Sequence, residues 1–92
     1  MNPPFIDMSK EYYRKRLVSL RADVAKEREA KKRDNAHYAN LIKGASSVSV
    51  KANYRKSKID RATSHDRRIE QLKRDIERTK DALKREKNNN LK

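Results

Sequence analysis

The sequence contains no cysteine and no tryptophan, and its 92 residues include one glycine, one phenylalanine and two prolines. Without cysteine, the chain can form neither a disulfide framework nor a thiolate zinc site, and it has no thiol nucleophile. A chain of this length with so few large apolar side chains encloses only a small core. The sequence therefore predicts a single elongated domain, or one that is completed by a partner.

Long apolar runs are missing as well. No stretch is long and apolar enough to predict a membrane span, and the N-terminal residues lack the basic and apolar regions of a signal peptide. Cysteine-free chains are compatible with a reducing compartment. We therefore expect a soluble, uncleaved, cytoplasmic protein.

Positive charge is what the chain has in excess. Lys and Arg number 26 against 13 Asp and Glu, which leaves a net charge of +13, and 42% of the residues are charged. Such an excess favours anionic partners, namely nucleic acid, an acidic protein surface or anionic lipid. Because this composition is also typical of disordered chains, the hydrophobic pattern has to decide whether the chain folds.

Apolar residues recur at alternating steps of three and four in both halves of the chain, as in an amphipathic helix. The first series is Tyr13, Leu17, Leu20 and Val24, and the second is Ile69, Leu72, Ile76 and Leu83, with Thr79 filling one step. Neither stretch contains Gly or Pro, and both are rich in Ala, Lys, Arg and Glu, which favour helices. The sequence predicts an all-α protein of two long helices, with these eight apolar residues as the helix–helix seam.

The residues between the two series predict a turn. Gly44 follows a basic last turn and suits a left-handed C-cap, whereas the serines that follow are good caps and poor helix interiors. Ser47 or Ser49 would cap the second helix, and Val48 and Val50 would fold back over the end of the hairpin. Short connections make antiparallel neighbours. The prediction is thus an antiparallel coiled-coil hairpin with a Gly/Ser turn, and a single uninterrupted helix is the alternative.

The predicted boundaries follow from caps and breakers. Pro3 and Pro4 keep the start of the chain extended, and Ser9 is the expected N-cap of the first helix. The polar C-terminal residues are expected to fray. The predicted parts are an extended arm at 1–8, a hairpin at 9–87 with helix 9–43, turn 44–49 and helix 50–87, and a disordered tail at 88–92.

Heptad labels place basic residues on one edge of the predicted hairpin. With Leu17 at an a position and Leu20 at a d position, the e positions of both helices are basic, except for Asp66. Antiparallel helices face e to e across the seam, so one edge collects these cations. They are Arg14, Arg21, Arg28, Lys73 and Lys80, called the basic edge below. We predict that the basic edge binds anions or nucleic acid; a merely solvated face is the alternative, and the pairing register stays open to one heptad.

Toward the turn, the seam positions become largely polar. They are Glu27, Lys31, Asp34, Tyr38 and Leu41 on the first helix, and Ile59, Ala62 and His65 on the second. Polar seam residues can set register at a cost in stability. The uneven seam could also admit a third helix, whose approach the small residues Ala25, Ala30, Ala36 and Ala39 would permit. A locally frayed hairpin is the alternative.

Catalytic chemistry has little basis in the sequence. The histidines are His37 and His65, and either could lie beside a carboxylate such as Glu27 or Asp66, which is usual for a surface or seam histidine. No second ligand pair is spaced for a metal, and there is no Gly-rich phosphate loop or nucleophile motif. We therefore expect a non-enzymatic protein without a cofactor, a metal, a small-molecule substrate or a membrane partner.

Two stretches carry a resemblance to known families. The length, the paired helices and the central "IKG" at 42–44 resemble the Trp-x-Gly hairpins of bacterial type VII secretion and their small helical chaperones. The tryptophan, the C-terminal Tyr-x-x-x-acid signal and the usual charge are missing. The segments "YYRKRLVSLRADVAKEREAKKRDNAHY" and "YRKSKIDRATSHDRRIEQLKRDIE" are similar to basic coiled-coil hairpins of bacterial accessory proteins. The resemblance implies a protein-docking role and assigns no functional residue.

Two functions fit these observations. The first is a helical interaction module that assembles with itself, as a homo-oligomer, or with a helical protein partner, and docks an acidic surface through the basic edge. The second is sequence-nonspecific binding of the DNA or RNA backbone through the same edge. Phosphate binding weakens steeply with salt, whereas an apolar helical assembly does not, so salt dependence separates the two.

Overall fold

The computed structural model describes the backbone of residues 3–90 and the side chains of residues 9–88. Helix α1 (Pro3–Gly44) and helix α2 (Val48–Asn90) are joined by residues 45–47. The predicted all-α helical hairpin is confirmed, and the alternative of one uninterrupted helix is excluded. Over its described length, neither helix offers a segment that is both long and apolar enough to cross a membrane.

The structure corrects both predicted ends of the hairpin. Helix α1 begins at Pro3, so Ser9 lies inside the helix and residues 3–8 are not an extended arm. Proline is tolerated in a first helical turn because the amide it lacks would have no intrahelical partner there. Helix α2 continues to Asn90, since no Gly or Pro follows Lys87 to stop it. The remainder of the predicted arm and tail, residues 1–2 and 91–92, lies outside the described residues.

Gly44 is the last residue of α1 and does not have the left-handed conformation that the sequence predicts. Among the described residues, no glycine has a positive φ. The helix closes instead with a tightened turn, in which the amide of Ala45 donates to the carbonyl oxygen of Ile42 at 3.3 Å. A bond that spans three residues satisfies one of the end carbonyls without a left-handed residue.

Ser47 is the N-cap of α2, the first of the two predicted candidates. Its Oγ accepts a hydrogen bond from the amide of Val50 at 3.2 Å. Its carbonyl oxygen accepts from the amide of Lys51 at 3.1 Å, which begins the helical pattern. The valines do not fold back over the end of the hairpin as predicted. They lie in the first turn of α2, where Val48 is 84% exposed, because the cap starts the helix too early for an extended segment.

Replacing Gly44 by alanine is expected to stabilise the hairpin by about 0.5–1 kcal/mol. A Cβ at this position meets nothing within 4 Å, and the backbone conformation suits any residue. The gain arises because alanine loses less chain entropy in the helix than glycine. Urea unfolding followed by circular dichroism measures it, with Ala39→Gly in the same helix as the control, which should lose a similar amount. A destabilised Gly44→Ala variant would show instead that Gly44 is the left-handed cap.

The helices form two compact units. The first unit joins residues 3–24 of α1 to residues 71–90 of α2 and holds most of the buried apolar residues. Its buried side chains are Leu17, Leu20, Val24, Leu72 and Thr79, and the predicted seam residues Tyr13, Ile76 and Leu83 are half-buried. The Thr79 hydroxyl donates to the Asp75 carbonyl oxygen at 2.8 Å, so its burial leaves no unpaired polar atom.

The second unit, Ala25–Glu70, contains the turn and a more polar helix–helix interface. Of the predicted seam residues, Ile69 is buried, while Tyr38, Leu41 and Ala62 are half-buried. Charged side chains occupy the positions between them, and these side chains reach across from one helix to the other. The chemistry of the second unit therefore depends on how those charges are paired.

Candidate functional site

Four of the five basic-edge residues lie in the first unit, and all four are exposed. Each directly follows an inward-facing residue: Arg14 follows Tyr13, Arg21 follows Leu20, Lys73 follows Leu72 and Lys80 follows Thr79. In an antiparallel pair, side chains that follow such positions flank the seam on the same side. Cations seven residues apart on one helix are separated by roughly 10 Å, at ~1.5 Å per residue. Arg28 is exposed in the second unit.

Most of the basic edge lacks a carboxylate partner. Lys80 lies 3.3 Å from Glu77, but among the described side chains Arg14, Arg21, Arg28 and Lys73 form no ion pair. Two other carboxylates of the first unit have partners outside the basic edge. Glu11 pairs with Lys15, and Asp75 pairs with Arg78 and also accepts from Gln71. The edge thus presents exposed cations that the hairpin itself does not neutralise.

A histidine clamped between two carboxylates links the helices of the second unit. His65 of α2 donates from Nδ1 to Oε1 of Glu27 at 2.6 Å, and from Nε2 to Oδ2 of Asp34 at 2.6 Å. Glu27 and Asp34 are seven residues apart on α1, so they share one face of that helix and lie on either side of the ring. All three side chains are half-buried. We call them the His65 clamp.

Two further ion pairs flank the His65 clamp. Lys31 lies between Glu27 and Asp34 in the sequence, and its Nζ donates to Oδ1 of Asp66 at 2.7 Å. Arg61 precedes His65 by one helical turn, and its Nη1 lies 3.8 Å from Oδ2 of Asp34. Cations and carboxylates therefore alternate across this part of the interface. Such an arrangement pairs each partly buried charge with an opposite one.

The clamp favours a charged histidine. Ionised carboxylates only accept hydrogen bonds, so a ring that bonds to one at each nitrogen must carry both protons. The hydrogen bond to Asp34, followed by that to Glu27, raises the pKa of His65 above its ordinary value of 6.5. The hydrogen bond from His65, together with the charge of Arg61, lowers the pKa of Asp34 below 3.8. Partial burial opposes both shifts and is outweighed.

The chain matches no protein-family model, and no curated protein or solved structure shows significant similarity to it. The resemblance to secretion hairpins and accessory coiled coils therefore stays a prediction. Any function has to be argued from the residues of this chain.

The sequence pattern identified much of the His65 clamp in advance. Heptad spacing placed Glu27, Asp34 and His65 in the seam, and the structure brings them together there. The pairing of Arg61 with Asp34 was not predicted, although the position of Arg61 one turn before His65 was a usable signal. Ile59 is corrected: it is 65% exposed, and Lys58 is half-buried instead. Lys58, four residues before Ala62, lies on the inward face of the helix, whereas Ile59, three residues before Ala62, lies on the outward face.

The chemistry of the clamp is that of a structural link. Both ring nitrogens of His65 are engaged, which leaves no lone pair to accept a substrate proton or bind a metal. Within the described part of the chain, no group of His, Asp and Glu side chains is arranged to hold a metal ion. The basic edge, by contrast, is exposed and has capacity for a ligand. It is the candidate functional site.

Proposed function

We propose that the chain is a non-enzymatic helical interaction module that docks an acidic surface of a helical protein partner through its basic edge. The observation that carries this proposal is that Arg14, Arg21 and Lys73 are exposed and form no ion pair in the described structure. They lie on a rigid helical framework, so their side chains are presented at regular intervals. Little backbone ordering is needed when a partner binds, which favours affinity.

Like charges along one edge also supply a reason to bind an anion. Neighbouring cations on exposed helices destabilise a structure by a few tenths of a kcal/mol per pair. A partner with carboxylates at matching intervals removes this repulsion and adds ion pairs. Docking an acidic surface therefore relieves an unfavourable feature of the free hairpin.

The charge also bears on self-assembly. Each copy of the chain carries +13, so two copies that met through their basic edges would repel one another. A homo-oligomer would have to use a different surface. The basic edge is consequently assigned to a partner of opposite charge.

Sequence-nonspecific nucleic-acid binding is the second candidate. The same exposed cations suit a phosphate backbone, which is recognised by charge and shape without contacts to bases. The net charge of +13 favours this reading as well as the first. Both candidates depend on the same cations, so one set of edge variants, assayed with an acidic peptide and with DNA, tests both.

Replacing four basic-edge residues, Arg14, Arg21, Lys73 and Lys80, by glutamine is expected to weaken binding of a Glu-rich helical peptide at least tenfold. Each exposed ion pair contributes roughly 0.2–1 kcal/mol, and tenfold corresponds to about 1.4 kcal/mol. Fluorescence anisotropy with a labelled peptide measures the loss. The matched control changes Lys15, Arg74, Lys84 and Arg85 to glutamine. These residues are exposed in the same unit, and the control removes the same charge away from the seam.

A short DNA duplex in the same assay decides between the candidates. If the edge binds phosphates, the slope of log affinity against log salt should fall by about 3.6 in the edge variant, at about 0.9 per phosphate, and the peptide should bind weakly. If the edge binds an acidic protein surface, the peptide should respond to the edge variant more than to the control. Equal binding of both ligands by the edge variant and the control would exclude the basic edge as a site.

A further inference from the structure

An open groove of 370 Å³ lies between α1 and α2 in the second unit. Its lining consists of Asn35, Ile42, Arg55, Lys58, Ile59 and Ala62. On α2 the lining residues follow steps of three, one and three, so they form one face of the helix. On α1 the two lining residues are seven apart and also share a face. The groove is therefore a continuous trough along both helices.

The groove exists because the side chains at this part of the seam do not fill it. Ala62 is small, and Arg55 and Lys58 stand at the heptad positions that Ile69 and Leu72, respectively, occupy further along α2. Long cationic side chains keep their charged ends in water rather than pack across the seam. The space between the helices is thus left open.

The groove combines apolar side chains with cationic ones. Ile42 is half-buried, and Ile59, although large and apolar, is 65% exposed. Arg55 and Lys58 border these residues and form no ion pair among the described side chains. Apolar contact area beside unpaired cations is the surface that complements an amphipathic segment carrying carboxylates.

We infer that this groove binds an amphipathic helix of an acidic protein partner. Apolar side chains of that helix contact Ile42 and Ile59, and its carboxylates pair with Arg55 and Lys58. The inference rests on the proposed function, because it assigns the class of partner and a second contact surface to the same interaction module. A third helix laid in the trough converts the two-helix hairpin into a three-helix arrangement and buries the side chains of Ile42 and Ile59.

Charge and hydration argue against the other occupants. A second copy of the chain carries +13 and would bring its own cations to Arg55 and Lys58. Nucleic-acid phosphates are strongly hydrated and gain nothing from Ile42 and Ile59. An acidic amphipathic helix complements both the two cations and the two isoleucines.

The dimensions of the groove set the pattern expected in the partner. Seven residues of helix span roughly 10 Å, or two turns, at ~1.5 Å per residue. A helix lying in the groove then contacts it with apolar residues at positions i, i+3 or i+4, and i+7. Acidic residues should flank that stripe on the side facing Arg55 and Lys58.

Two synthetic peptides of about 21 residues, or three heptads, test the inference with the full chain. One carries a leucine stripe flanked by glutamates, and the other has the same charge with glutamine in place of leucine. Ile59→Ser should weaken binding of the leucine peptide about tenfold, the loss typical of removing one apolar anchor. Val18→Ser is the control, since Val18 is an aliphatic residue of the first unit that is 67% exposed. It should leave binding within about twofold. The glutamine peptide should bind at least tenfold more weakly.

A second pair of variants tests the two cations of the groove. Changing Arg55 and Lys58 to glutamine should weaken the leucine peptide by about tenfold, whereas changing Lys56 and Arg67, which are exposed outside the groove, should have less effect. Circular dichroism of each variant establishes that the hairpin is intact. Because Ile59 is mostly exposed, its replacement should not unfold the chain.

The outcomes separate the groove from the basic edge. Loss of binding in both groove variants supports the groove, whatever the four-residue edge variant does. Loss of binding in the edge variant alone contradicts binding in the groove but agrees with the proposed function. Equal binding by all variants contradicts both the groove and the proposed function. Equal binding of the two peptides also overturns the groove. So does an Ile59→Ser variant that abolishes self-association or DNA binding, since a second copy or nucleic acid would then be the occupant.

Discussion

Leu72→Ala is expected to lower the free energy of unfolding by roughly 2–5 kcal/mol, the largest effect of any single change considered for this chain. Leu72 is 2% exposed and belongs to the small apolar core of the first unit. Replacing its isobutyl group by a methyl group reduces the buried apolar surface and leaves a cavity that two helices can close only in part. Because a small core provides little stability, this one substitution is expected to leave a large fraction of the molecules unfolded.

Urea unfolding followed by the helical signal measures this loss. Val18→Ala serves as the control, since Val18 is 67% exposed, and it should shift stability by no more than about 0.5 kcal/mol. Should Leu72→Ala be wholly unfolded, the gentler Leu72→Ile keeps the comparison quantitative, with an expected loss below about 1.5 kcal/mol. A Leu72→Ala variant as stable as the Val18 control would contradict the burial of Leu72 in the helix–helix seam.

Raising the pH from 6.5 toward 9 is expected to destabilise the hairpin through the His65 clamp. The pKa of His65 is raised in the folded chain above its ordinary value of 6.5. Between pH 6.5 and the raised pKa of the folded chain, His65 is protonated in the folded chain and has lost its proton in the unfolded chain. Unfolding in this range therefore releases a proton. The contribution of His65 to the free energy of unfolding is thus fully present below pH 6.5 and is lost as the pH rises through the folded pKa.

The acid side of the profile has the opposite slope. The pKa of Asp34 is lowered in the folded chain below its ordinary value of 3.8. Its contribution is present above that value and is lost as the pH falls through the folded pKa, because the unfolded chain then takes up a proton first. The two groups together predict a stability maximum between pH 3.8 and 6.5.

Urea midpoints collected across this pH range test the clamp. Above pH 6.5, unfolding of the original chain should release up to about one proton, so its free energy of unfolding should fall with pH. The His65→Gln variant should lack this dependence on pH, and below pH 6.5 it should be less stable than the original chain. His37→Gln is the control: it removes an exposed histidine that precedes Tyr38 and leaves the clamp in place, so its slope should persist. Matching slopes for the original chain and His65→Gln would mean that the two carboxylates do not hold the ring.

The clamp also has a consequence for specificity. Replacing partly buried charges with apolar residues is often neutral or stabilising, so a polar interface is weak evidence for stability. Its clearer use is to make one alignment of two helices better than the others. The contacts of His65 with Glu27 and Asp34 distinguish the observed pairing of the second unit from one shifted by a heptad. A shifted pairing would leave these charges without their partners.

The helices, their antiparallel pairing and the exposed position of the basic edge were predictable from the sequence. Steps of three and four among residues such as Leu17, Leu20 and Leu72 are a local signal, because helical periodicity depends only on neighbours along the chain. The same spacing puts Arg14 and Arg21 beside the seam whatever the partner residue opposite them. Ser47 was one of two predicted caps for a similar reason, since capping involves residues three apart.

The remaining features needed the tertiary structure. A heptad pattern looks the same after a shift of seven residues, so it cannot say which carboxylate of α1 reaches His65, or that Lys31 pairs with Asp66 across the interface rather than with Glu27 on its own helix. The conformation of Gly44 depends on how the two helices meet the three-residue connection. The groove beside Ile59 likewise follows from which side chains fail to fill the space between two particular helix faces. Sequence periodicity identified most of the residues that face inward, with Ile59 as the exception, and only the pairing of the helices decided which of them meet.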